Sequence, residues 1–344
     1  MNAKALSNVP AFPPVAARLL RIAADENAAS SDLVHLLRSD PALSAEIIRH
    51  ANSPLFSFTV EIRTMAQAVP LLGIRKIRSL ALSAIGRTYL RAVLIVDELR
   101  VHWRYSLACA LLSEILAPAC GIPEDMAYSA GLLHDIGRLG LMVAYPTDYS
   151  AMLQAAARKL KAGEAFDLPD YERDLFGVDR FEAGEYLARQ WNLPDELAGV
   201  VGRMAQPDEP DKLDLAAVVR IACRVANCLG FSVLPNPRGP NYEDVLKDLP
   251  AALTAALPTQ AEQLRQRLER EIDELDQPPQ PAERSREMQT LLEIEQPAEP
   301  AEEPSEARAS TTEQAAGPRW PLWPAVLAGV VVLVIVVVWV RMAG

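Results

Sequence analysis

Apolar residues in this sequence recur at steps of three and four, and they form no convincing run of alternating apolar and polar positions. That spacing is typical of helices with one buried face, whereas half-buried strands require alternation. The sequence therefore predicts an all-α protein built as a multi-helix domain. The predicted helical segments are residues 15–22, 32–37, 41–51, 64–72, 74–82, 93–116, 126–143, 181–191, 193–204, 213–229 and 258–275.

The net charge of −11 is spread unevenly over the 344 residues. Between Pro278 and Gly317 there are nine Glu against three Arg and no Lys, so this short segment carries more than half of the net negative charge. Its repeated Pro-Ala-Glu units predict a disordered acidic linker over residues 277–318. The remainder is only mildly acidic, which argues against nucleic acid as a partner. A basic cluster at Arg75, Lys76 and Arg78 is interpreted as a solvated helix face.

The C-terminal segment is the most apolar part of the chain. The 21 residues from Trp320 to Val340 carry no charged side chain, which is enough to span a hydrocarbon core of about 30 Å. We therefore predict a single transmembrane helix over residues 319–341, with these residues within it: Leu322, Trp323, Ala325, Val330 and Val340. The N-terminal residues have no apolar core of signal-peptide length. The expected arrangement is a single-pass inner-membrane protein with its N-terminal domain in the cytoplasm.

Four regions follow along the chain: a helical domain (1–250), an amphipathic helix (251–276), the linker (277–318) and the membrane helix (319–341). In the second region, four apolar residues at helical steps form a narrow seam: Leu264, Leu268, Ile272 and Leu275. The seam either forms a short coiled coil that would give a weak homodimer, or packs on the domain.

The segment Ala130 to Gly137 places His134 and Asp135 side by side in an apolar helical run. An imidazole and a carboxylate suit a divalent metal or a general base, although metal-dependent hydrolysis needs three or more protein ligands. The alternative is a hydrogen-bonded pair buried between helices. The cysteines, Cys109, Cys120, Cys223 and Cys228, include no CxxC pair and are interpreted as small buried hydrophobic side chains.

Several motifs in order give this chain a resemblance to the bacterial HDOD domain, a helical relative of the HD-superfamily phosphohydrolases. The resemblance covers about residues 9–230 and rests on these segments: Val9-Pro10 with Pro13-Pro14, Asp40-Pro41-Ala42-Leu43-Ser44, Ala51-Asn52-Ser53, Leu72-Gly73, Gly131 to Gly137, Phe176 to Asp179, and Trp191-Asn192-Leu193-Pro194. The resemblance implies a regulatory or scaffolding unit in bacterial signalling.

The resemblance also implies that the metal-binding set of HD enzymes is incomplete here. Tyr105 follows Arg104 where relatives often have His, Arg180 follows Asp179 at another such position, and Asn227 stands where HD enzymes place a ligand Asp. His134 and Asp135 are therefore expected to be vestigial, with no catalytic residue, no metal and no cofactor. A pocket that has no catalytic activity is expected, with these residues lining it: Arg104, Tyr105, Asp179, Arg180 and Asn227. We also expect Arg180 to pair with Asp135 or Asp179.

The leading hypothesis is a non-catalytic signal-transduction module that binds protein partners and is tethered to the membrane by a flexible linker. One alternative is a metal-dependent phosphohydrolase acting on a nucleotide or cyclic dinucleotide, with His102, Asp179 or Glu182 completing the site. Another alternative is a protein that binds a nucleotide second messenger through Arg104, Arg180 or Arg203 without hydrolysing it.

Overall fold

The computed structural model describes residues 6, 9, 13–24, 33, 35–37, 41–54, 56, 58, 61–91, 97–164, 166–206 and 213–276. All of them belong to the first of two compact units, Met1–Glu295, and the second unit, Gln296–Gly344, lies outside them. Within these residues the protein is all-helical and has no strand, as predicted.

The described α-helices are α1 (Pro14–Ala24), α2 (Pro41–Ala51), α3 (Met65–Leu72), α4 (Ile74–Arg91), α5 (Asp97–Leu116), α6 (Glu124–Leu133), α7 (Ile136–Ala144), α8 (Pro146–Ala162), α9 (Leu168–Phe176), α10 (Arg180–Gln190), α11 (Asp195–Arg203), α12 (Leu215–Cys228), α13 (Tyr242–Lys247), α14 (Ala251–Ala256) and α15 (Ala261–Asp276). A 3₁₀ turn, Ala117–Cys120, follows α5. None of the described helices is both long enough and apolar enough to cross a membrane.

Local sequence fixes many of the helix ends. Thr64 caps α3 in a capping box with Gln67, and Asp179 caps α10 in a second capping box with Glu182. Both boxes satisfy backbone amides that have no partner inside the helix. Between α9 and α10, Gly177 adopts φ 74°, a left-handed conformation that glycine takes without steric cost. The chain can therefore leave α9 and enter α10 within a few residues.

Helix α5 lies at the centre of the domain and packs against α6 and α12, while α7 packs against α10. Leu107, Leu111 and Leu112 on α5 are almost completely buried, and Trp103 lies one turn earlier on the same helix. The contact between α7 and α10 depends on glycine. A Cβ at Gly137 would overlap the backbone carbonyl of Arg180, so only glycine allows α7 to lie this close to α10.

The predicted basic helix face is an interhelical contact, which corrects the interpretation as a solvated surface. Lys76 Nζ lies 3.1 Å from a carboxylate oxygen of Glu114 on α5. Arg78 Nη1 lies 2.8 Å from Oδ2 of Asp125 on α6, with both side chains largely buried. The cations of α4 therefore join it to the central helices.

Helix α15 packs against α4 and α5, so the seam of Leu264, Leu268, Ile272 and Leu275 is buried in the same core as the rest of the domain. Of the two alternatives, the structure shows the helix lying on the domain. The predicted linker (277–318) and transmembrane helix (319–341) lie outside the described residues, as does the start of the predicted 93–116 helix before Asp97.

Candidate functional site

The His-Asp pair lies at a junction between two helices, inside the segment predicted to be helical over 126–143. Helix α6 ends at Leu133 and α7 begins at Ile136, with Asp135 at φ −115° and ψ 33°. Leaving helical geometry at Asp135 redirects the chain so that Gly137 can approach the backbone of α10. The pair is therefore held between α5, α6, α7 and α10, and both side chains are buried.

The Asp135 carboxylate is bound by a guanidinium. Arg138 Nε donates to Asp135 Oδ2 at 2.6 Å, and His102 Nδ1 lies 3.9 Å from the same oxygen. Burial raises the pKa of Asp135, but Arg138, and then His102 and His134, lower it to about 2. Burial also lowers the pKa of His102 to about 3, so this imidazole is neutral at pH 7. Asp135 is consequently an ionised carboxylate paired with a buried arginine.

This arrangement does not fit the divalent metal of HD-type hydrolases. A fixed positive charge 2.6 Å from the carboxylate opposes a second cation there. Two of the other proposed ligands, Asp179 and Glu182, are engaged elsewhere. Asp179 accepts backbone hydrogen bonds from Phe181 and Glu182 and pairs with Arg173, while Glu182 accepts from the Asp179 amide at 3.0 Å. Asp179 and Glu182 thus cap α10.

His134 faces a different set of side chains. Its Nδ1 lies 2.7 Å from the backbone carbonyl of Gly131, and Tyr105 stands edge-on to its ring with 5.5 Å between the centroids. One side-chain donor atom each of Cys109, His134 and Cys223 lies within 4.8 Å of the others, and all three residues are buried. Of the residues in the predicted pocket, Tyr105 lies beside His134, and sequence reasoning missed both cysteines as members of this cluster.

The electrostatics of this cluster couple a thiol to an imidazole. Burial raises the pKa of the Cys223 thiol, but hydrogen bonding with Cys109 and the charge of His134 hold it well below its usual value. Conversely, burial lowers the pKa of His134, but Cys223, Asp135 and the Gly131 carbonyl raise it to about 9. The two groups therefore favour a thiolate beside an imidazolium.

The other residues of the predicted pocket are not brought together. Arg104 is partly exposed and binds Asp273 of α15 at 2.7 Å. Asn227 is exposed at the end of α12, where Cys223, one turn earlier, faces His134 instead. Arg180 pairs with Glu172, with Nε and Oε2 3.2 Å apart, and not with Asp135 or Asp179 as predicted. Two signals could have identified the cysteines: Cys109 follows Tyr105 by one turn, and Cys223 precedes Asn227 by one turn.

The cavities near these residues are small. One of about 40 Å³ lies beside His102 and Trp103 and is lined mainly by apolar side chains. Another, of about 230 Å³, lies beneath α15 and is lined in part by His50, Lys76 and Glu274. Pockets for nucleotide-sized ligands usually measure about 300–1,000 Å³. The cavity beside His102 is therefore too small for a nucleotide.

Comparison with known proteins identifies related sequences and folds. A family model of the HDOD domain matches residues 9–207. An uncharacterized protein of Treponema pallidum is 25% identical over 200 residues, which is 57% of this chain and 37% of the relative. The chain thus aligns with little more than a third of that relative's length.

Three crystal structures share the fold. An HDOD domain protein of unknown function from Geobacter sulfurreducens is 21% identical, with a TM-score of 0.60 over 78% of this chain and 91% of that one. A proposed signal transduction protein from Marinobacter aquaeolei is 24% identical, with a TM-score of 0.58 over 79% of this chain and 59% of that one. A proposed phosphohydrolase from Shewanella amazonensis is 23% identical, with a TM-score of 0.57 over 79% of this chain and 95% of that one. At these identities the similarity establishes the fold alone.

Proposed function

Because this chain belongs to the HDOD domain family, we propose that it is a non-catalytic signal-transduction module that binds protein partners and is held at the inner membrane. The observation that carries this proposal is the buried ion pair between Asp135 and Arg138, with Nε and Oδ2 2.6 Å apart. A hydrolytic metal needs this carboxylate as a ligand and an open position for water. With Arg138 bound to it, the carboxylate serves to hold the junction of α6 and α7.

The same argument weighs against the phosphohydrolase alternative. Two of its candidate ligands serve another purpose, because Asp179 and Glu182 cap α10. One solved relative is a proposed phosphohydrolase, but at 23% identity it supports the fold and not the chemistry of this site.

The nucleotide-binding alternative requires arginines that converge and are free to bind phosphate. Instead, Arg104 binds Asp273, Arg180 binds Glu172, and Arg203 Nη1 lies 2.6 Å from Asp214 Oδ2. Each guanidinium is therefore matched with a carboxylate of the same domain. A ligand phosphate would have to displace that carboxylate, which disfavours this alternative.

The tether is proposed from the sequence. Residues 319–341 have the length and composition of a membrane-spanning helix, and residues 277–318 have those of an extended acidic linker. A flexible linker of this kind raises the concentration of the domain near membrane-bound partners without fixing its orientation. Such an arrangement suits a module whose output is binding.

The test is a hydrolase assay on the purified full-length chain. The substrates are bis-p-nitrophenyl phosphate and cyclic dinucleotides, each with added Mg²⁺, Mn²⁺ or Fe²⁺. We expect no metal-dependent turnover above the rate without protein, and no saturable heat of nucleotide binding by calorimetry.

Matched variants make the assay decisive. Asp135→Asn and His134→Ala alter the adjacent His and Asp residues, whereas Arg189→Ala removes an exposed arginine of α10. Turnover that is lost in the first two variants and retained in Arg189→Ala would refute the proposal. Saturable nucleotide binding without turnover would instead favour the second-messenger alternative.

A further inference from the structure

We propose that Cys109, His134 and Cys223 bind a thiophilic d¹⁰ metal ion, Zn²⁺ in the first place, at the buried junction of α5, α6 and α12. This is a structural site and does not depend on the proposed signalling function, because it uses His134 without Asp135. The sequence-based expectation of no metal set the cysteines aside, because they include no CxxC pair. Two sulfur ligands change that expectation.

The three donors converge because of how the central helices pack. Helix α6 carries Gly131, where a Cβ would lie 2.7 Å from the Cys109 carbonyl oxygen and 2.8 Å from Ala110 Cα. Only glycine permits α5 and α6 to approach this closely. Helix α12 packs against both α5 and α6 and contributes Cys223. As a result, the three donor atoms lie within 4.8 Å of one another and away from solvent.

The orientation of His134 matches that of a metal-binding histidine. Its Nδ1 lies 2.7 Å from the Gly131 carbonyl oxygen, which can only accept a hydrogen bond, so Nδ1 carries the proton. Nε2 is then the metal-binding atom, and the ion would take the place of the second proton that the imidazolium carries there. Metal-ligating histidines commonly donate a hydrogen bond from the N–H of the second ring nitrogen to a backbone carbonyl. That hydrogen bond fixes the tautomer and the ring orientation.

The charge balance favours a divalent ion with two thiolate ligands. The neighbouring charges are already matched: Asp135 with Arg138, and Glu172 with Arg180. Two thiolates and one Zn²⁺ would add no net charge to this buried region, whereas Cu⁺ would leave one negative charge. Zn²⁺ and Cu⁺ also bind cysteine sulfur and imidazole more strongly than harder ions such as Mg²⁺ do.

The fourth ligand in this proposal is Tyr105. Its side chain is buried beside the cluster, and its ring packs edge-on against His134 with 5.5 Å between the centroids. Its phenolic oxygen would serve as the fourth donor of a tetrahedral ion. A closed set of protein ligands without an open position is typical of structural zinc sites, in contrast to catalytic ones.

The experiment is elemental analysis of the full-length chain, purified without chelators and without a metal-affinity step. We expect close to one zinc per chain, and the same measurement distinguishes Zn²⁺ from Cu⁺. After removal of the ion, addition of Co²⁺ should produce thiolate-to-cobalt charge-transfer absorption, which reports sulfur ligands directly in the wild-type protein.

Cysteine variants assign the ligands. Cys109→Ser and Cys223→Ser should each lower the bound zinc by at least tenfold under dialysis, whereas Cys120→Ser and Cys228→Ser, at partly exposed positions, should retain it. A folded wild-type protein that contains no metal and takes up neither Zn²⁺, Cu⁺ nor Co²⁺ would overturn the proposal. A disulfide between Cys109 and Cys223 in freshly purified protein would also overturn it. Because the cobalt spectrum uses the wild-type chain, the proposal remains testable if a variant fails to fold.

Discussion

Arg138 Nε lies 2.6 Å from Asp135 Oδ2, across one turn at the start of α7, and both side chains are buried. His102 Nδ1 lies 3.9 Å from the same oxygen. A buried ion pair contributes little net stability compared with apolar residues, but the loss of one partner leaves an uncompensated charge in a medium of low dielectric constant. The two residues should therefore behave very differently when they are changed singly and together.

Arg138→Met should lower the free energy of unfolding by about 3–5 kcal/mol, because it leaves the Asp135 carboxylate buried and unpaired. Adding Asp135→Asn to this variant should restore most of the loss, since no isolated charge then remains. The measurement is urea unfolding followed by circular dichroism. As a control, Arg189→Ala breaks an exposed pair with Glu185 and should change the free energy by less than about 1 kcal/mol. Additive single and double variants would contradict the coupling.

His50 should make the protein less stable in mild acid. Burial, and then the neighbouring Arg49, lower the pKa of His50 to about 4, although Glu274 opposes this shift. Arg49 Nη2 lies 3.0 Å from His50 Nε2, and carboxylate oxygens of Glu46 and Glu274 lie 3.8 and 3.9 Å from the ring nitrogens. Between pH 6.5 and 4 the unfolded chain binds a proton that the folded chain does not, so stability falls as the pH falls through this window.

The size of this effect is up to about 3 kcal/mol for His50. The check is to compare the unfolding free energies of wild type and His50→Gln at pH 7 and pH 4.5. The decrease should be smaller in the variant. The lowered pKa of Asp135, about 2, adds its own loss of stability only below about pH 4, so the two effects are separable. Equal decreases in the two proteins would argue against a neutral, buried His50.

Leu268→Ala should destabilise the domain by about 2–5 kcal/mol, because the side chain is fully buried where α15 packs on α4 and α5. The matched control is Leu175→Ala on α9, whose leucine is 57% exposed and should cost less than about 1 kcal/mol. Since the seam is filled by the domain itself, the loss should not vary with protein concentration. A concentration-dependent melting midpoint would instead indicate a coiled-coil dimer.

Val330→Arg should move the protein from the membrane fraction to the soluble fraction of the cell. Val330 lies near the middle of the predicted segment 319–341, where an arginine costs roughly 2.5–3.5 kcal/mol of insertion free energy. Val330→Leu preserves the apolar character and should leave the distribution unchanged. Wild-type protein found in the soluble fraction after cell lysis and centrifugation would contradict the predicted tether.

Local features of the sequence predicted many of the helices, although α8, α9 and α13 lie in no predicted helical segment. Thr64 caps α3 and Asp214 caps α12 through backbone amides three positions away, and Gly73 ends α3, so these helix ends depend on local sequence. The match of the HDOD family model to residues 9–207 confirmed the family that the ordered motifs predicted. The sequence did not locate the break at Asp135, because that break depends on the approach of Gly137 to Arg180, which is distant in sequence.

The candidate site was harder to predict for the same reason. The resemblance implies a pocket position for Asn227, but the face of α12 that points inward is set by packing, and that face presents Cys223. Arg104 was expected in a pocket, yet its partner Asp273 lies 169 positions away along the chain. Cysteine was interpreted as a hydrophobic filler because no close pair was visible. Distance in sequence concealed the fact that three helices bring sulfur and imidazole together.

The packing of α15 means that the stretch delimited by sequence comparison is shorter than the stretch that folds. The family match ends at residue 207, but the hydrophobic core continues through α12 to Leu275. A protein cut at either residue 207 or residue 250 would lose the leucines that cover α4 and α5. Any rearrangement of genes that transferred this module to another protein would therefore have to carry its last helix along with it.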